Sequence, residues 1–223
     1  MIKINKRPLP DGTVIDKEDD YRSGIVFDML VGDCNNKCYI CEDAELTSPR
    51  VEHRLPRNVY PALEFNWKNL FLACDHCNSI KRDEYVGIID PTIVDPEEMI
   101  ALSLELDDKL REWVVVRKVS GDADIETTIS LLDAVYNPVN TSMKRLAGQN
   151  LRNKISHELS WFHKKLDEYR ENPSEECKVE LIRLLSDVSA FASFKRVMVR
   201  SVPALHSLLP QATPPTSTKK TPH

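Results

Sequence analysis

Two cysteine pairs with the same spacing form the clearest chemical pattern in the chain, Cys38-Tyr-Ile-Cys41 and Cys74-Asp-His-Cys77. Each Cys-x2-Cys spacing lets a tight turn direct two thiolates at one metal, and two such turns complete the tetrahedral four-thiolate site that Zn²⁺ accepts. Because this site has no open coordination position, its zinc would be structural and not catalytic. A chance coincidence or a redox-active pair is the alternative, but two coinciding pairs in a reducing compartment favour metal binding.

Two other cysteines and one histidine need separate interpretation. Cys34 lies four residues before Cys38 and is either an alternative ligand or, as we favour, a small free thiol. Cys177 lies near the start of a predicted C-terminal helix, and we expect it to be a buried apolar residue. His76 lies between two predicted ligands and could compete for the metal, although we expect it to point away.

A second pattern lies between and beside the cysteine pairs: the dipeptide Glu52-His53, then Asn69, then Asn78 directly after the last cysteine. Most Glu-His dipeptides are surface strand residues, so this dipeptide alone is weak. Its position inside a zinc-stapled loop matters more, because the cysteines can bring the strand of His53 close to Asn78. A histidine takes up a proton near neutral pH, and carboxylate and amide oxygens suit Mg²⁺ or Mn²⁺.

This layout resembles the HNH nucleases, whose core is two strands and a helix around a divalent ion. It resembles one branch in particular, the PtuB-like HNH components of Septu and retron-associated anti-phage defence systems. The motifs cover about residues 34–91, including Ile89-Asp90-Pro91 after the predicted helix. The resemblance implies metal-dependent hydrolysis of phosphodiester bonds in DNA or RNA.

The resemblance also implies a role for each matching residue. His53 corresponds to the general base that takes a proton from the attacking water. Glu52 corresponds to an acidic metal ligand, where the family more often has Asp, and Asn78 to the last metal ligand, where many relatives have His. Asn69 corresponds to the middle asparagine, which shapes the loop and orients the histidine through the backbone. Lys81, one helical turn after Asn78, becomes a candidate phosphate contact.

Three further basic side chains, Arg54, Arg57 and Lys68, are candidates for contacts with backbone phosphates. Solvated surface charge is an equally good interpretation of each. The catalytic ion that the resemblance implies is Mg²⁺ or Mn²⁺, which would polarise the phosphate and stabilise the leaving oxygen.

Hydrophobic periodicity and capping signals predict the helices and strands that carry these residues. The sequence predicts strands at 50–55 and 69–74, a helix capped by Asn78, and a hairpin from 99–106 and 113–119. It also predicts helices over 127–136, 142–170 and 174–200, with Ser174 as an N-cap. Met143 and Leu146 belong to the apolar spacing of the helix over 142–170.

The predicted fold class is α+β, with a zinc-stapled ββα-metal (HNH) unit followed by a β-hairpin and a mainly helical C-terminal region. We divide the chain into an N-terminal arm (1–30), an HNH nuclease domain with the zinc site (31–91), a hairpin and helical region (92–200) and a tail (201–223). The third part is the predicted partner-docking region. The tail is rich in Pro, Thr and Ser and is predicted to be disordered.

The net charge of −5 is unfavourable for unaided capture of nucleic acid. Residues 50–82 carry six basic and three acidic side chains, whereas residues 83–133 carry four basic and fourteen acidic ones. We therefore expect the chain to act with a partner, and the resemblance implies an ATPase of the PtuA type. A retron reverse transcriptase with its non-coding nucleic acid is a further candidate partner.

No apolar run is long enough for a membrane span and no secretory signal is visible, so we expect a cytoplasmic protein without a membrane partner. The competing function is a non-catalytic zinc-binding adaptor whose helical half docks a partner. The combination of Glu52, His53 and Asn78 argues against it, because an adaptor needs neither a base nor ligands for a hard metal.

Overall fold

The computed structural model describes residues 1–22, 24–120 and 125–210. The helices and strands occur in the order α1 (Glu18–Arg22), α2 (Gly24–Asp33), β1 (Pro49–His53), β2 (Leu70–Cys74), α3 (Asp75–Lys81), β3 (Ile100–Leu106), β4 (Glu112–Lys118), α4 (Ile125–Tyr136), α5 (Ser142–Glu171), α6 (Glu175–Leu185) and α7 (Ala192–Arg200). The predicted mixture of helices and small sheets is confirmed. Within the described ranges, no helix is both long and apolar enough to cross a membrane.

Strands β1 and β2 and helix α3 form a continuous ββα unit. The strands pair antiparallel, with Glu52 opposite Phe71 and His53 opposite Leu70. The first four residues of β2 are apolar and buried, so this strand anchors the unit in the main core. Strand β1 is exposed at its start, and at its end Glu52 is buried whereas His53 is half-buried. His53 can therefore face solvent while the ladder keeps its backbone fixed.

Helix α3 begins earlier than the sequence predicts. Asn78 was the predicted N-cap, but the cap is Cys74, whose backbone is extended and whose Sγ accepts a hydrogen bond from the N–H of Cys77 at 3.4 Å. A thiolate at a metal site can do what a Ser or Asp side chain does at an ordinary cap. Asn78 therefore lies in the body of the helix, and its side chain is free of the capping role.

The hairpin β3–β4 matches its prediction, with Ile100 opposite Lys118 and Leu106 opposite Glu112. The carboxylate of Asp107 closes the turn by accepting from the backbone N–H groups of Lys109 and Arg111. Helix α4 packs against β4, and buried residues of both elements belong to the main core. The hairpin thus links the ββα unit to the helical half.

One prediction for the helical half is wrong. The single helix expected over 174–200 is two helices, because the chain becomes extended at Ser186 and takes a left-handed conformation at Phe191 before α7. Buried Arg196 donates from Nε to the carbonyl of Leu185 at 2.7 Å, which satisfies a backbone acceptor at the end of α6. Met143 and Leu146 do not pack in the core, since they are 84% and 59% exposed on the first turns of α5. The predicted N-cap Ser174 is confirmed.

The predicted N-terminal arm and the first residues of the predicted tail contain regular structure that the sequence does not indicate. The predicted arm contains α1 and α2, and Met1, Ile2 and Ile4 are buried. The tail predicted from residue 201 begins with a 3-10 helix at Pro203–Leu208, because Leu208 packs in a second core formed with α5, α6 and α7. The remainder of that predicted tail, 211–223, lies outside the described residues.

Candidate metal centre and catalytic cleft

The four cysteines of the two pairs converge on one point. The Sγ atoms of Cys38, Cys41, Cys74 and Cys77 all lie within 4.8 Å of one another, and the cluster can hold a zinc ion. Three of the side chains are fully buried and Cys74 is half-buried. Burial raises the pKa of Cys77 well above its ordinary value, and a zinc ion, if bound, would supply the positive charge that stabilises the thiolate form.

Backbone hydrogen bonds hold the first cysteine pair against the second. The N–H of Cys38 bonds to the carbonyl of Asp43 at 2.9 Å, which closes the tight turn that carries Cys38 and Cys41. The N–H of Tyr39 donates to Leu72 of β2, also at 2.9 Å, and the Tyr39 ring stacks on Phe71. The turn is therefore fixed to the strand that leads directly into the second pair.

Cys34, Cys177 and His76 lie outside the four-sulfur cluster. Cys34 is buried, and burial raises the pKa of its thiol to about 12, as expected of a small apolar residue. His76 points away, because its Nε2 lies 2.8 Å from the carbonyl oxygen of Val135 in α4. Cys177 is only half-buried, in the first turn of α6.

A polar cleft of about 390 Å³ lies on the ββα unit, lined by residues of β1 and α3 and of the segments next to them. Four residues singled out from the sequence line it together: Glu52, His53, Arg57 and Asn78. Asn69 does not line it. Other lining residues, which the sequence pattern did not indicate, come from α1, from the loop after β1 and from the end of α3: Tyr21, Arg22, Asn58, Arg82 and Asp83.

His53 is held with a defined tautomer. Its Nε2 lies 2.8 Å from the carbonyl oxygen of Glu64, and a carbonyl only accepts, so Nε2 carries the proton of the neutral ring. The Nδ1 atom is then left with the lone pair. Burial lowers the pKa of His53, and the ring of Tyr21 packs edge-on at 5.6 Å. The side chain can therefore accept a proton near neutral pH.

Asn69 shapes the loop that supplies the partner of His53. Its side-chain oxygen accepts from the N–H of Leu55 at 2.8 Å, and its amide donates to the carbonyls of Leu55 and Leu63 at 2.9 and 3.1 Å. Glu64 follows Leu63 directly, so these bonds set the position of the carbonyl that holds His53. The contact between Asn69 and the histidine is thus indirect and runs through the backbone.

Lys81 has a different environment from the one expected of a phosphate contact. It is fully buried, and its Nζ donates to Glu52 Oε1 at 2.7 Å and to the carbonyl of His53 at 2.8 Å. Burial raises the pKa of Glu52 to about 7, while the Lys81 ammonium acts in the opposite direction. Lys81 therefore ties α3 to two consecutive residues of β1 instead of facing solvent.

The other three predicted phosphate contacts do not all lie at the cleft. Arg57 lines the cleft, where it bonds to the carboxylates of Glu18 and Glu64. Arg54 lies elsewhere, with its guanidinium on the carbonyl of Ile88 and 3.2 Å from the carboxylate of Asp90. Lys68 is exposed and is not among the residues that line the cleft.

We expect Lys81→Met to reduce the free energy of unfolding by about 3–5 kcal/mol, because it leaves the buried Glu52 carboxylate without its partner. The double variant Glu52→Gln/Lys81→Met should recover most of that loss, since neither buried charge then remains. Urea unfolding of the zinc-loaded proteins measures both values. Lys109→Met, in the exposed turn of the hairpin, is the matched control. A loss under 1 kcal/mol for Lys81→Met would contradict the buried ion pair.

Comparisons with known proteins give one informative similarity. No family model matches the chain, and no solved structure matches it. A curated relative, the Septu protein PtuB of Bacillus thuringiensis, is 40% identical over 74 residues. The matched segment is 30% of this chain and 29% of that relative, so the chain spans less than a third of the relative's length. Over that segment, the similarity supports a PtuB-like relationship.

Proposed function

We propose that this chain is a metal-dependent HNH-type nuclease that hydrolyses phosphodiester bonds of nucleic acid within a Septu-type defence complex. The observation that carries the proposal is His53, which lies in a polar cleft with Nε2 fixed on a carbonyl and Nδ1 left as a base. Asn78 and Glu52 line the same cleft, on a ββα unit built against the four-cysteine cluster.

His53 Nδ1 takes the proton of the attacking water in this proposal. The bond from Nε2 to Glu64 stabilises the imidazolium that forms, because the carbonyl dipole faces the protonated ring. Asn69 preserves that geometry through Leu63, and Lys81 preserves it from the other side through the carbonyl of His53. The base is thus oriented by two buried polar side chains.

The cleft carries guanidinium groups that can bind a phosphodiester. Arg22, Arg57 and Arg82 all line it, and guanidinium groups bind phosphate oxygens in a fixed fork geometry. Asp83 also lines the cleft, and Glu18 and Glu64 pair with Arg57. A phosphate would therefore compete with carboxylates for Arg57, whereas Arg82 bonds through Nε to the carbonyl of Ser79.

The donor atoms in the cleft also fit a hard divalent ion. Glu52 offers the carboxylate oxygen that Lys81 does not use, and Asn78 offers an amide oxygen from a half-buried side chain. Mg²⁺ binds one or two protein oxygens and fills its remaining positions with water and substrate phosphate. Such an ion, when bound, would polarise the phosphate and stabilise the leaving oxygen.

Asn78→Ala should raise the Mg²⁺ or Mn²⁺ concentration needed for half-maximal cleavage by about tenfold, because one of two protein oxygens is lost. Plasmid nicking by zinc-loaded protein over a range of Mg²⁺ or Mn²⁺ concentrations measures this half-maximal concentration. Asn58→Ala is the matched control, since this asparagine lines the same cleft but bonds to Asp83. An unchanged metal requirement in Asn78→Ala would remove Asn78 from the ligand set.

The PtuB-like segment supports a partner as well as an activity. We propose a stable complex with an ATPase of the PtuA type, docked on the hairpin and helices of residues 92–200 and gating cleavage by nucleotide state. A retron reverse transcriptase with its non-coding nucleic acid is the alternative partner. Co-expression with each candidate, followed by size-exclusion chromatography, distinguishes them by which protein elutes with this chain.

One observation favours a second candidate function, a zinc-binding adaptor without catalysis. The Lys81 ammonium occupies one oxygen of Glu52, so the carboxylate offers a divalent ion less negative charge than a free Glu would. An adaptor would keep the zinc and the partner complex but cleave neither DNA nor RNA at any Mg²⁺ or Mn²⁺ concentration. The plasmid and RNA cleavage assays separate the two functions.

A further inference from the structure

A basic groove lies on the helical half, between the hairpin and the start of α5. It measures about 640 Å³, and Arg111, Arg145, Arg152 and Trp113 line it. Among the described residues that line it, the one carboxylate is Glu112, which accepts a hydrogen bond from Ser156. Arg111 is paired with Asp107 at 2.6 Å, so Arg145 and Arg152 against Glu112 leave this groove with a net positive charge in a chain whose net charge is −5.

The groove combines the two features that bind single-stranded nucleic acid, cations for phosphates and an aromatic face for bases. The Trp113 side chain is half-buried, so part of its indole remains accessible. The guanidinium carbon of Arg152 lies 6.0 Å from the centroid of that ring. Arg145 is exposed, and its guanidinium donates to nearby neutral groups, the carbonyl of Val139 at 3.2 Å and the hydroxyl of Ser142 at 3.0 Å. Its guanidinium can therefore reorient toward a ligand at a small cost in free energy.

One backbone carbonyl contacts both a residue of the cleft and a residue next to the groove. The carbonyl oxygen of Ser79 lies 3.0 Å from Arg82 Nε and 3.5 Å from Lys144 Nζ. Arg82 lines the cleft, whereas Lys144 immediately precedes Arg145 of the groove. Basic side chains therefore follow one another from the candidate catalytic site to Trp113.

We propose that a single strand of nucleic acid leaves the cleft at Arg82, crosses the start of α5 at Lys144 and lies in the groove with a base stacked on Trp113. This inference rests on the nuclease function proposed above and extends it, because it names single-stranded nucleic acid as the form of substrate held beyond the cleavage site. It also gives the acidic chain a local means of binding a polyanion.

The test is the binding of fluorescein-labelled oligothymidylate by zinc-loaded His53→Ala protein, followed by anisotropy over a range of salt concentrations. Adding Arg145→Gln should weaken binding several-fold and reduce the slope of log K against log salt by about 0.7, the value for one phosphate contact on a single strand. Arg145→Glu should weaken binding further. Trp113→Leu should weaken binding with little change in slope, because stacking releases no counterions.

Arg170→Glu is the matched charge reversal, exposed on α5 but about 37 Å further along the helix. It should bind like the parent protein. Equal binding by the parent and Arg145→Glu proteins would overturn the proposal that the groove binds a single strand. The nuclease proposal would still stand if wild-type protein cleaves and His53→Ala does not. The proposal would also be overturned if polyglutamate displaced the labelled oligothymidylate as well as an unlabelled oligonucleotide does, because the groove would then bind any acidic chain.

Discussion

Cys38→Ser is expected to remove the zinc and to unfold the ββα unit. Metal binding at a structural four-thiolate site is worth about 10–16 kcal/mol in zinc-finger peptides, which equals or exceeds the total stability of an ordinary domain. Cys38, Cys41 and Cys77 also belong to the main core, so the loss would extend beyond the metal. Elemental analysis should fall from about one zinc per chain to none, and the cooperative melting transition should be lost.

Cys177→Ser is the matched control for that result. Its side chain is half-buried in α6 and lies outside the four-sulfur cluster. We expect it to keep the zinc content and the melting temperature of the parent protein. A Cys38→Ser protein that stays folded without zinc would show that the cluster is not a structural metal site.

His53→Ala is expected to reduce the rate of phosphodiester cleavage by about 10²- to 10⁴-fold, the usual contribution of a positioned acid–base group. The imidazole lies at the end of β1, and the substitution removes one hydrogen bond, to Glu64. Folding should therefore change little, by about 1 kcal/mol. Single-turnover cleavage of labelled DNA and RNA measures the rate, and zinc content and thermal melting report on the fold.

His163→Ala controls for the loss of a histidine, because this residue is exposed on α5 away from the cleft. It should cleave at the parent rate. If His53→Ala cleaves as fast as the parent protein with equal zinc content, His53 is not the base.

The cysteine cluster and the ββα order could be predicted because both depend on local spacing. Two Cys-x2-Cys turns restrict the thiolates to one metal, and an apolar run such as the start of β2 specifies a buried strand. The juxtaposition of Glu52, His53 and Asn78 then follows, since the antiparallel ladder and the helix leave few arrangements.

The environment of each side chain was less predictable, because it depends on contacts between distant segments. A lysine can bind either a phosphate or a buried carboxylate, so the residue type alone does not decide between them. Only the packing of α3 on β1 brings Lys81 into contact with Glu52. The carbonyl of Glu64 that fixes His53 has no sequence signal, because every residue has a carbonyl. Similarly, the break between α6 and α7 follows from buried Arg196, whose partners Glu97 and Asp187 lie on other segments.

If this chain cleaves nucleic acid with a divalent ion in the His53 cleft, cleavage must depend on both the ion and the histidine. Cleavage of labelled DNA and RNA by zinc-loaded wild-type protein, alone and with its co-expressed ATPase partner, with and without Mn²⁺, measures this dependence. We expect new ends that appear only when Mn²⁺ or Mg²⁺ is added and that are absent in His53→Ala. No cleavage of either nucleic acid by folded, zinc-loaded protein under all of these conditions would contradict it.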